Sequence, residues 1–413
     1  MKDELNGEKL YDILKKEWGY EGFVMSDWGC CKDAVKSVKS GLDLAMPENP
    51  DFVPRLLEGV PSGEITEEEI DNAVERFLRF ALNVEKQEST LSPEDCHDIC
   101  REINEEAIVL LKNEDDLLPI TKEKYKRIAV VGEFAENPVI GGFGSSTVFP
   151  DEDQVESPLK FIKDYCGNDI EVEYIPIYQT NEYLKEPHFT ALKYMPIFEE
   201  VDLVLMFVGR EVSVETEGND RVTSHLNPLF EFIIKRIYPR NQNIVLVAQS
   251  GGAFMNLSWD HKIKSIVQMW LGGEAAGSAI ANVLFGKVNP SGKLSETFPT
   301  KTRTDIDYPG DGYKVCYDEK WRIGYRYYDL HTDEIWFPFG HGLSYTKFEF
   351  SDLSIVNTEN GFSVECKVKN TGDKAGKEVV QVYFSDRVAT FSPPKKELVA
   401  FKKTKLLEPQ EEI

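Results

Sequence analysis

Four short apolar runs, at residues 127–132, 171–175, 203–208 and 244–248, recur between amphipathic stretches such as 158–165 and 228–237. Runs of this kind, rich in Val and Ile and without polar alternation, suit strands covered on both faces. Their alternation with helices predicts a parallel or mainly parallel sheet sandwiched between helical layers. Ile266-Val267 adds a fifth strand, and small residues over 273–284 predict a helix after it.

The N-terminal stretch also alternates. Leu10, Ile13, Leu14 and Trp18 form one helix face closed by Gly19, and Phe23-Val24-Met25 then reads as a buried strand. A helix over 32–40 stops at Gly41, and Leu42-Asp43-Leu44-Ala45-Met46 gives a second strand closed by Pro47. Thr66-Glu67-Glu68-Glu69 opens a strong helix with Ile70, Ala73, Val74, Phe77, Leu78 and Ala81 on one face. Two strand-helix units seldom stand alone, since both sheet faces and both edges need partners. A closed parallel barrel needs eight such units and roughly 250 residues. About 85 are available here. The segment is therefore expected to join a larger sheet, meet another chain, or belong to a longer product.

Residues 96–113 predict one long helix whose apolar end is 107–111. Asn289-Pro290-Ser291-Gly292 is a turn, and from there to Phe337 the chain is rich in Gly, Pro, Asp and Tyr without sustained periodicity, as an ordered connector would be. Beyond 347, short runs at 348–354, 362–369, 378–384 and 398–402 predict antiparallel strands, with a turn at Asn370-Thr371-Gly372-Asp373. This is a β-sandwich of about 65 residues, shorter than the roughly 100 of immunoglobulin-like domains, and it is expected to end one or two strands early.

With 413 residues the chain exceeds a single growing core, and its net charge of −25 disfavours nucleic acid as a partner. No 18-residue apolar run spans a membrane, and no signal peptide is legible at the N-terminus. Seven sparse cysteines, with Cys30 and Cys31 adjacent, predict free thiols and a reducing, cytoplasmic setting. The histidines His97, His188, His225, His261, His331 and His341 are scattered, so no metal site is expected. Neither a Gly-x-Ser-x-Gly nucleophile nor a Cys-His pairing is present. Gly141-Gly142-Phe143-Gly144-Ser145-Ser146 lacks the Lys-Ser/Thr end of a phosphate-binding loop and the three-glycine dinucleotide spacing; the glycines are expected to permit a close backbone turn. No cofactor is called for.

Carboxylate chemistry remains. Asp27, in Gly22-Phe23-Val24-Met25-Ser26-Asp27-Trp28-Gly29, stands just after the first predicted strand, where parallel-barrel enzymes place catalytic groups. The bland alternative is a cap for the helix that begins near Lys32. Trp28 can offer an apolar wall to a sugar or simply pack. Glu217, in Glu215-Thr216-Glu217-Gly218-Asn219-Asp220-Arg221, lies in a polar loop after the 203–208 strand. Its alternative is a solvated acidic loop in which Glu211, Glu215 and Asp220 pair with Arg210 and Arg221, an Asp220–Arg221 bridge shaping the turn.

These motifs resemble those of glycoside hydrolase family 3, in particular its β-glucosidase branch. Residues 22–28 are similar to the family's Gly-Phe-Val-x-Ser-Asp-Trp nucleophile motif, 41–47 to its Gly-x-Asp-x-x-Met-Pro, and 106–119 to its Glu-x-x-Val-Leu-Leu-Lys-Asn-Glu-x-x-x-Leu-Pro. Residues 141–145 resemble its Gly-Gly-x-Gly-Ser loop and 215–221 its acid/base segment Glu-x-Glu-Gly-x-Asp-Arg. Stretches 272–277, 283–294, 324–328 and 337–345 continue the series in order. Nine colinear matches cover nearly the whole chain.

The resemblance implies an α/β chain with the last two β/α units of a TIM-type barrel at 1–88, an α/β sandwich domain at 89–300, a connector at 301–346, and a fibronectin-type-III-like β-sandwich at 347–413. It further implies retaining hydrolysis of terminal non-reducing β-D-glucosyl residues, from a β-glucoside or short oligosaccharide, with β-xylosides as the alternative. Asp27 would be the nucleophile and Glu217 the general acid/base, the latter kept protonated until transfer, with about 5–5.5 Å between their carboxyl groups. Trp28, Ser145, Glu215 and Arg221 would contribute to substrate binding. The family's early acidic residue and arginine and its Lys-His pair have no match here, Asn219 replaces an aromatic residue, and Cys30-Cys31 replaces smaller or polar ones. Activity would then need a barrel-supplying subunit, a homo-oligomer or a longer product; the competing expectation is an inactive or carbohydrate-binding piece.

Overall fold

The computed structural model describes residues 8–413 except 86–89, 181–186, 211, 212, 218, 220, 222, 256–258, 304, 305, 307–313, 360 and 389–392. The chain divides into two compact units, Met1–Thr90 and Leu91–Ile413.

In the first unit a π-wound helix, Glu8–Glu17, precedes α1 (Ala34–Lys39), α2 (Phe52–Ser62) and α3 (Glu67–Asn83). Thr66 and Glu69 close a reciprocal capping box on α3, as the Thr-x-x-Glu spacing predicts. Ala34, Val35, Leu56 and Ile65 form a small core among these helices. The two strands expected at 23–25 and 42–46 are reduced to one parallel bridge, Met25 to Leu44. Ser26 N donates to Leu44 O at 2.9 Å and Leu44 N to Val24 O at 3.1 Å. Among the described residues these two segments have only each other to pair with, and the ladder does not propagate.

Asp43 holds this unit together. Its fully buried carboxylate receives Lys15 Nζ at 2.5 Å, Arg76 Nε at 2.8 Å and the Val24 amide at 2.8 Å. One side chain thereby ties the first helix, the bridge and α3.

The second unit begins with α4 (Pro93–Ala107), opened by a Ser92–Asp95 capping box. The helix predicted to run to residue 113 stops at Ala107, and Val109–Asn113 is a strand, β1. Leu110 and Leu111 are buried on opposite sides of the sheet, which a strand permits and a single helical stripe does not. Next come β2 (Arg127–Val131), α5 (Pro158–Cys166), β3 (Glu171–Ile175), a short hairpin of β4 (Tyr178–Thr180) and β5 (Pro187–Phe189), and β6 (Leu203–Gly209). The series continues through α6 (Pro228–Ile237), β7 (Ile244–Gln249), β8 (Ser265–Gln268) and α7 (Ala276–Leu284).

The main sheet has the order β1-β8-β7-β6-β2-β3, parallel except for β1, which runs antiparallel to β8. Strand β6 shows why it is a middle layer. Leu203, Leu205 and Phe207 pack with Ile162 of α5 and Ile280 of α7, while Val204, Met206 and Val208 pack with Ile233 and Ile234 of α6. All six side chains are fully buried. The expected α/β sandwich is present, with apolar layers on both faces.

The stretch expected to be an ordered connector, 301–346, contains α8 (Gly324–Tyr328) and β10 (Ile335–Phe337), and β10 pairs with β9 (Phe298–Pro299) just ahead of it. Two antiparallel pairs then form the β-sandwich, β11 (Phe348–Thr358) with β12 (Gly361–Asn370) and β13 (Val379–Phe384) with β14 (Glu397–Lys403). Lys377 and Lys403 converge on Glu106 of α4, the latter at 2.6 Å. Arg326 of α8 reaches Glu397 of β14 at 2.9 Å. The sandwich is thus stitched by charge to the rest of its unit.

Candidate active site

Asp27 and Glu217 belong to different compact units, so each is described in its own surroundings. Asp27 follows the Met25–Leu44 bridge. Its Oδ1 accepts the Trp28 amide at 2.8 Å, and its side chain is exposed, as is Trp28. Ser26 fixes the backbone on its other side, accepting the Met46 amide at 2.8 Å and donating to Met46 O at 3.3 Å. The helix cap is Asp33, whose carboxylate accepts the Lys36 amide at 3.1 Å, so capping does not account for Asp27.

Glu217 is held by the glycine loop. Phe143 N donates to Glu215 O at 2.8 Å and Glu217 N to Phe143 O at 3.3 Å, forming a parallel bridge between Phe143 and Thr216. Gly144 has φ +86°, and a Cβ there would lie 2.8 Å from Glu217 Cβ. Only glycine accommodates both the left-handed turn and that approach. The expected close backbone turn is what these residues make.

The carboxylate of Glu217 accepts the Ser145 amide at 2.9 Å and also the Ser145 hydroxyl. The hydroxyl first, then the amide, holds Glu217 below its ordinary carboxylate range. This is opposite to the expectation of a carboxyl kept protonated: the side chain is exposed, so no desolvation outweighs the two donors. Ser145→Ala is expected to raise the Glu217 midpoint toward the ordinary range, read by carbon-13 titration of labelled glutamate with Glu217→Gln for assignment. An unmoved midpoint would show that the hydroxyl does not set this charge.

Glu215 and Arg221 have a different setting. The Glu215 carboxylate, 3% exposed, lies 2.5 Å from Arg221 and 3.5 Å from Arg210, and accepts the Gly251 amide at 3.2 Å. Arg210 further donates to Ser224 O and Ala253 O, each at 2.9 Å. Arg221 therefore pairs with Glu215; the anticipated Asp220–Arg221 bridge lies outside the described residues. Glu296, which the sequence reading did not single out, accepts the Ala253 amide at 2.8 Å. Burial pushes its carboxyl up, against the opposing pull of that amide and the two arginines. Its only sequence signal is a lone acid two residues before the apolar Phe298. An internal ion cluster thus lies under the loop that carries Glu217.

Among the described residues no His, Cys, Asp and Glu cluster is arranged to hold a metal ion, and no helix is long and apolar enough to cross a membrane. None of the seven cysteines is joined in a disulfide.

Residues 108–345 match the glycosyl hydrolase family 3 C-terminal domain, 4–80 the family's N-terminal domain, and 378–413 a fibronectin type III-like domain. Thermostable beta-glucosidase B of Acetivibrio thermocellus is 38% identical over 99% of this chain and 56% of its own length. An exo-alpha-(1->6)-L-arabinopyranosidase of Bifidobacterium breve is 33% identical over 95% of this chain and 53% of its own. The chain thus spans a little over half the length of these curated relatives. The crystal structure of a Bifidobacterium adolescentis GH3 beta-glucosidase superposes with a TM-score of 0.85 at 34% identity, covering 99% of this chain and 60% of that one. A family model spanning more than half the chain, on an α/β sandwich followed by a fibronectin-like sandwich, places this protein in glycosyl hydrolase family 3.

Proposed function

We propose that this chain supplies both reacting carboxylates of a retaining β-glycosidase acting on terminal non-reducing β-D-glucosyl residues, with Asp27 as nucleophile and Glu217 as acid/base. The observation that carries this reading is the family membership together with the two motifs, each presented on an exposed carboxylate. Asp27 attacks the anomeric carbon while the bond to the leaving oxygen breaks and Glu217 gives that oxygen a proton. Glu217 then takes a proton from water, which displaces Asp27 from the sugar. Because Ser145 favours the ionised Glu217, acid catalysis requires that the arriving sugar loosen those hydrogen bonds. Trp28 borders the sugar; Ser145, Glu215 and Arg221 position the loop or the substrate.

In this reading 1–88 are the last two β/α units of a TIM-type barrel, followed by the α/β domain at 89–300, the connector at 301–346 and the sandwich from 347. Turnover requires the remaining barrel strands, from the same product, a partner subunit or another copy. A cytoplasmic setting suits seven cysteines that form no disulfide. The arabinopyranosidase relative makes α-L-arabinopyranosides the second substrate to test, alongside β-xylosides.

The test is hydrolysis of p-nitrophenyl β-D-glucoside by the chain alone and joined behind the barrel segment of the Acetivibrio thermocellus relative. Absence of turnover in both, with native circular dichroism, would favour an inactive or carbohydrate-binding piece. In the active form, Glu217→Ala is expected to lower kcat by about 10²–10⁴-fold on substrates with poor leaving groups. Azide should restore turnover and yield the β-glucosyl azide; no rescue, or an α-azide, would remove Glu217 from the acid/base role.

A further inference from the structure

The order of the parallel strands has a reversal. The chain moves outward from β2 to β3, then returns to place β6 on the other side of β2. In open α/β sheets a crevice forms at the carboxyl ends of the strands flanking such a reversal, and ligands occupy it. Here a cavity of about 580 Å³ lies at that position, lined by Glu133 and Phe134 after β2 and by Gly209 and Arg210 at the end of β6. Its size is that of a small-molecule site. Glu217 does not line it.

The lining has unspent hydrogen-bonding capacity. Arg210 is 5% exposed, and its Nε is buried without a partner among the described residues; so is Nδ1 of His225, which lines the same cavity. Buried polar atoms are ordinarily satisfied, so these two orphans, in side chains that line one cavity, are groups that a small rotation of either side chain would offer to a ligand. Arg221 adds a second guanidinium. The α6 N-terminus is not the attraction, because Asn227 already caps it through the Leu229 amide. The remaining wall is mostly apolar, with the Phe134 and Phe230 rings 6.4 Å apart and tilted by 57°. Glu133 also faces this space, which penalises a dianion more than a monoanion.

We propose that the crevice between β2 and β6 binds a monoanionic aryl carboxylate, its carboxylate held by Arg210, Arg221 and His225 and its ring against Phe134 and Phe230. Such a group can arrive on the leaving portion of a glycoside or as a free acid. Either way it lies beside the ion cluster that supports the Glu217 loop.

The probes are benzoate, its neutral isostere benzamide, and inorganic phosphate, titrated calorimetrically into the 413-residue chain, with nitrogen-15 spectra of the arginine Nε–H and histidine ring. This readout needs no glycoside hydrolysis, so it stands or falls apart from the glycosidase reading. Benzoate is expected to saturate and to shift Arg210 and His225, with benzamide roughly tenfold weaker or more. Arg221→Gln and His225→Gln, nearer the surface than Arg210, should each weaken benzoate by roughly tenfold. Then 4-carboxyphenyl β-D-glucoside distinguishes the sources: shifts at Arg210 together with Ser145 indicate a leaving group, and shifts with benzoate alone indicate a free acid. Equal binding of benzamide, tighter binding of phosphate, or benzoate shifts that spare Arg210 and His225 would overturn the proposal.

Discussion

Asp27→Ala is expected to reduce kcat for p-nitrophenyl β-D-glucoside by on the order of 10⁴-fold or more in the active form, the scale seen when a covalent nucleophile is deleted. The physical basis is that the attacking oxygen is lost while the sugar keeps its other contacts, so KM should move much less than kcat. Among the described residues the Asp27 carboxylate has one hydrogen bond, to the adjacent Trp28 amide, and the residue is exposed, so the fold should tolerate alanine. Melting temperature should therefore stay near that of the unsubstituted chain. A loss below tenfold, or an equal loss of stability, would remove Asp27 from the nucleophile's role.

The opposite pattern is expected at Asp43, sixteen residues along the sequence. Asp43→Ala strips the buried partner from Lys15, whose side chain is only 6% exposed, and from Arg76, 20% exposed. It also orphans the Val24 amide. Removing one member of a buried charge pair typically costs about 3–5 kcal/mol, because the surviving charge is left unsolvated. The first unit should consequently lose hydrogen-exchange protection in the Glu8–Glu17 helix and in α3, while α4 to α7 of the second unit keep theirs. Asp43→Asn, which retains an acceptor for the Val24 amide but not the charge, should fall between. Unchanged protection in the Asp43→Ala chain would show that this ion cluster does not hold the unit.

The two acids also mark what a sequence can and cannot disclose. Strands β2, β6 and β7 were legible because continuous burial on both faces leaves an uninterrupted apolar run. Strand β1 was not, because Ile108-Val109-Leu110-Leu111 suits a helix end equally well; its state is decided by β8, more than 150 residues away. The segments at 23–25 and 42–46 failed for the converse reason: their composition is that of strands, but strands require neighbours. Helix α2 was hidden by Pro54 and Pro61, which argue against a helix interior. Pro54 falls in the first turn, where a missing N–H has no intrahelical partner to disappoint.

At the candidate site the residue types were legible and their electrical settings were not. Glu215 and Glu217 are near neighbours with similar sequence surroundings, yet one is sealed against two arginines and the other is exposed to Ser145. What separates them is contact with residues 36 to 72 positions distant, at Gly251 and Ser145. The glycines at 142 and 144 were the one local hint, since a backbone that close to another chain segment excludes side chains.

Arg210 gives the loop from residue 210 to 224 an unusual independence. By donating to Ser224 O at 2.9 Å it joins two positions 14 apart, and Met255 N, also bonded to Ser224 O, seals the junction to the scaffold. Lengthening a loop whose ends are already fixed costs little, because closure entropy grows only logarithmically. Away from Glu215, Glu217 and Arg221, whose contacts tie the span to Gly251 and Ser145, residues can thus be exchanged inside it with little strain reaching β6 or β7. Relatives of this chain include a named glucosidase and a named arabinopyranosidase, and a span tied off in this way is an insulated workshop, whose contents can change while the sheet that carries it goes on folding as before.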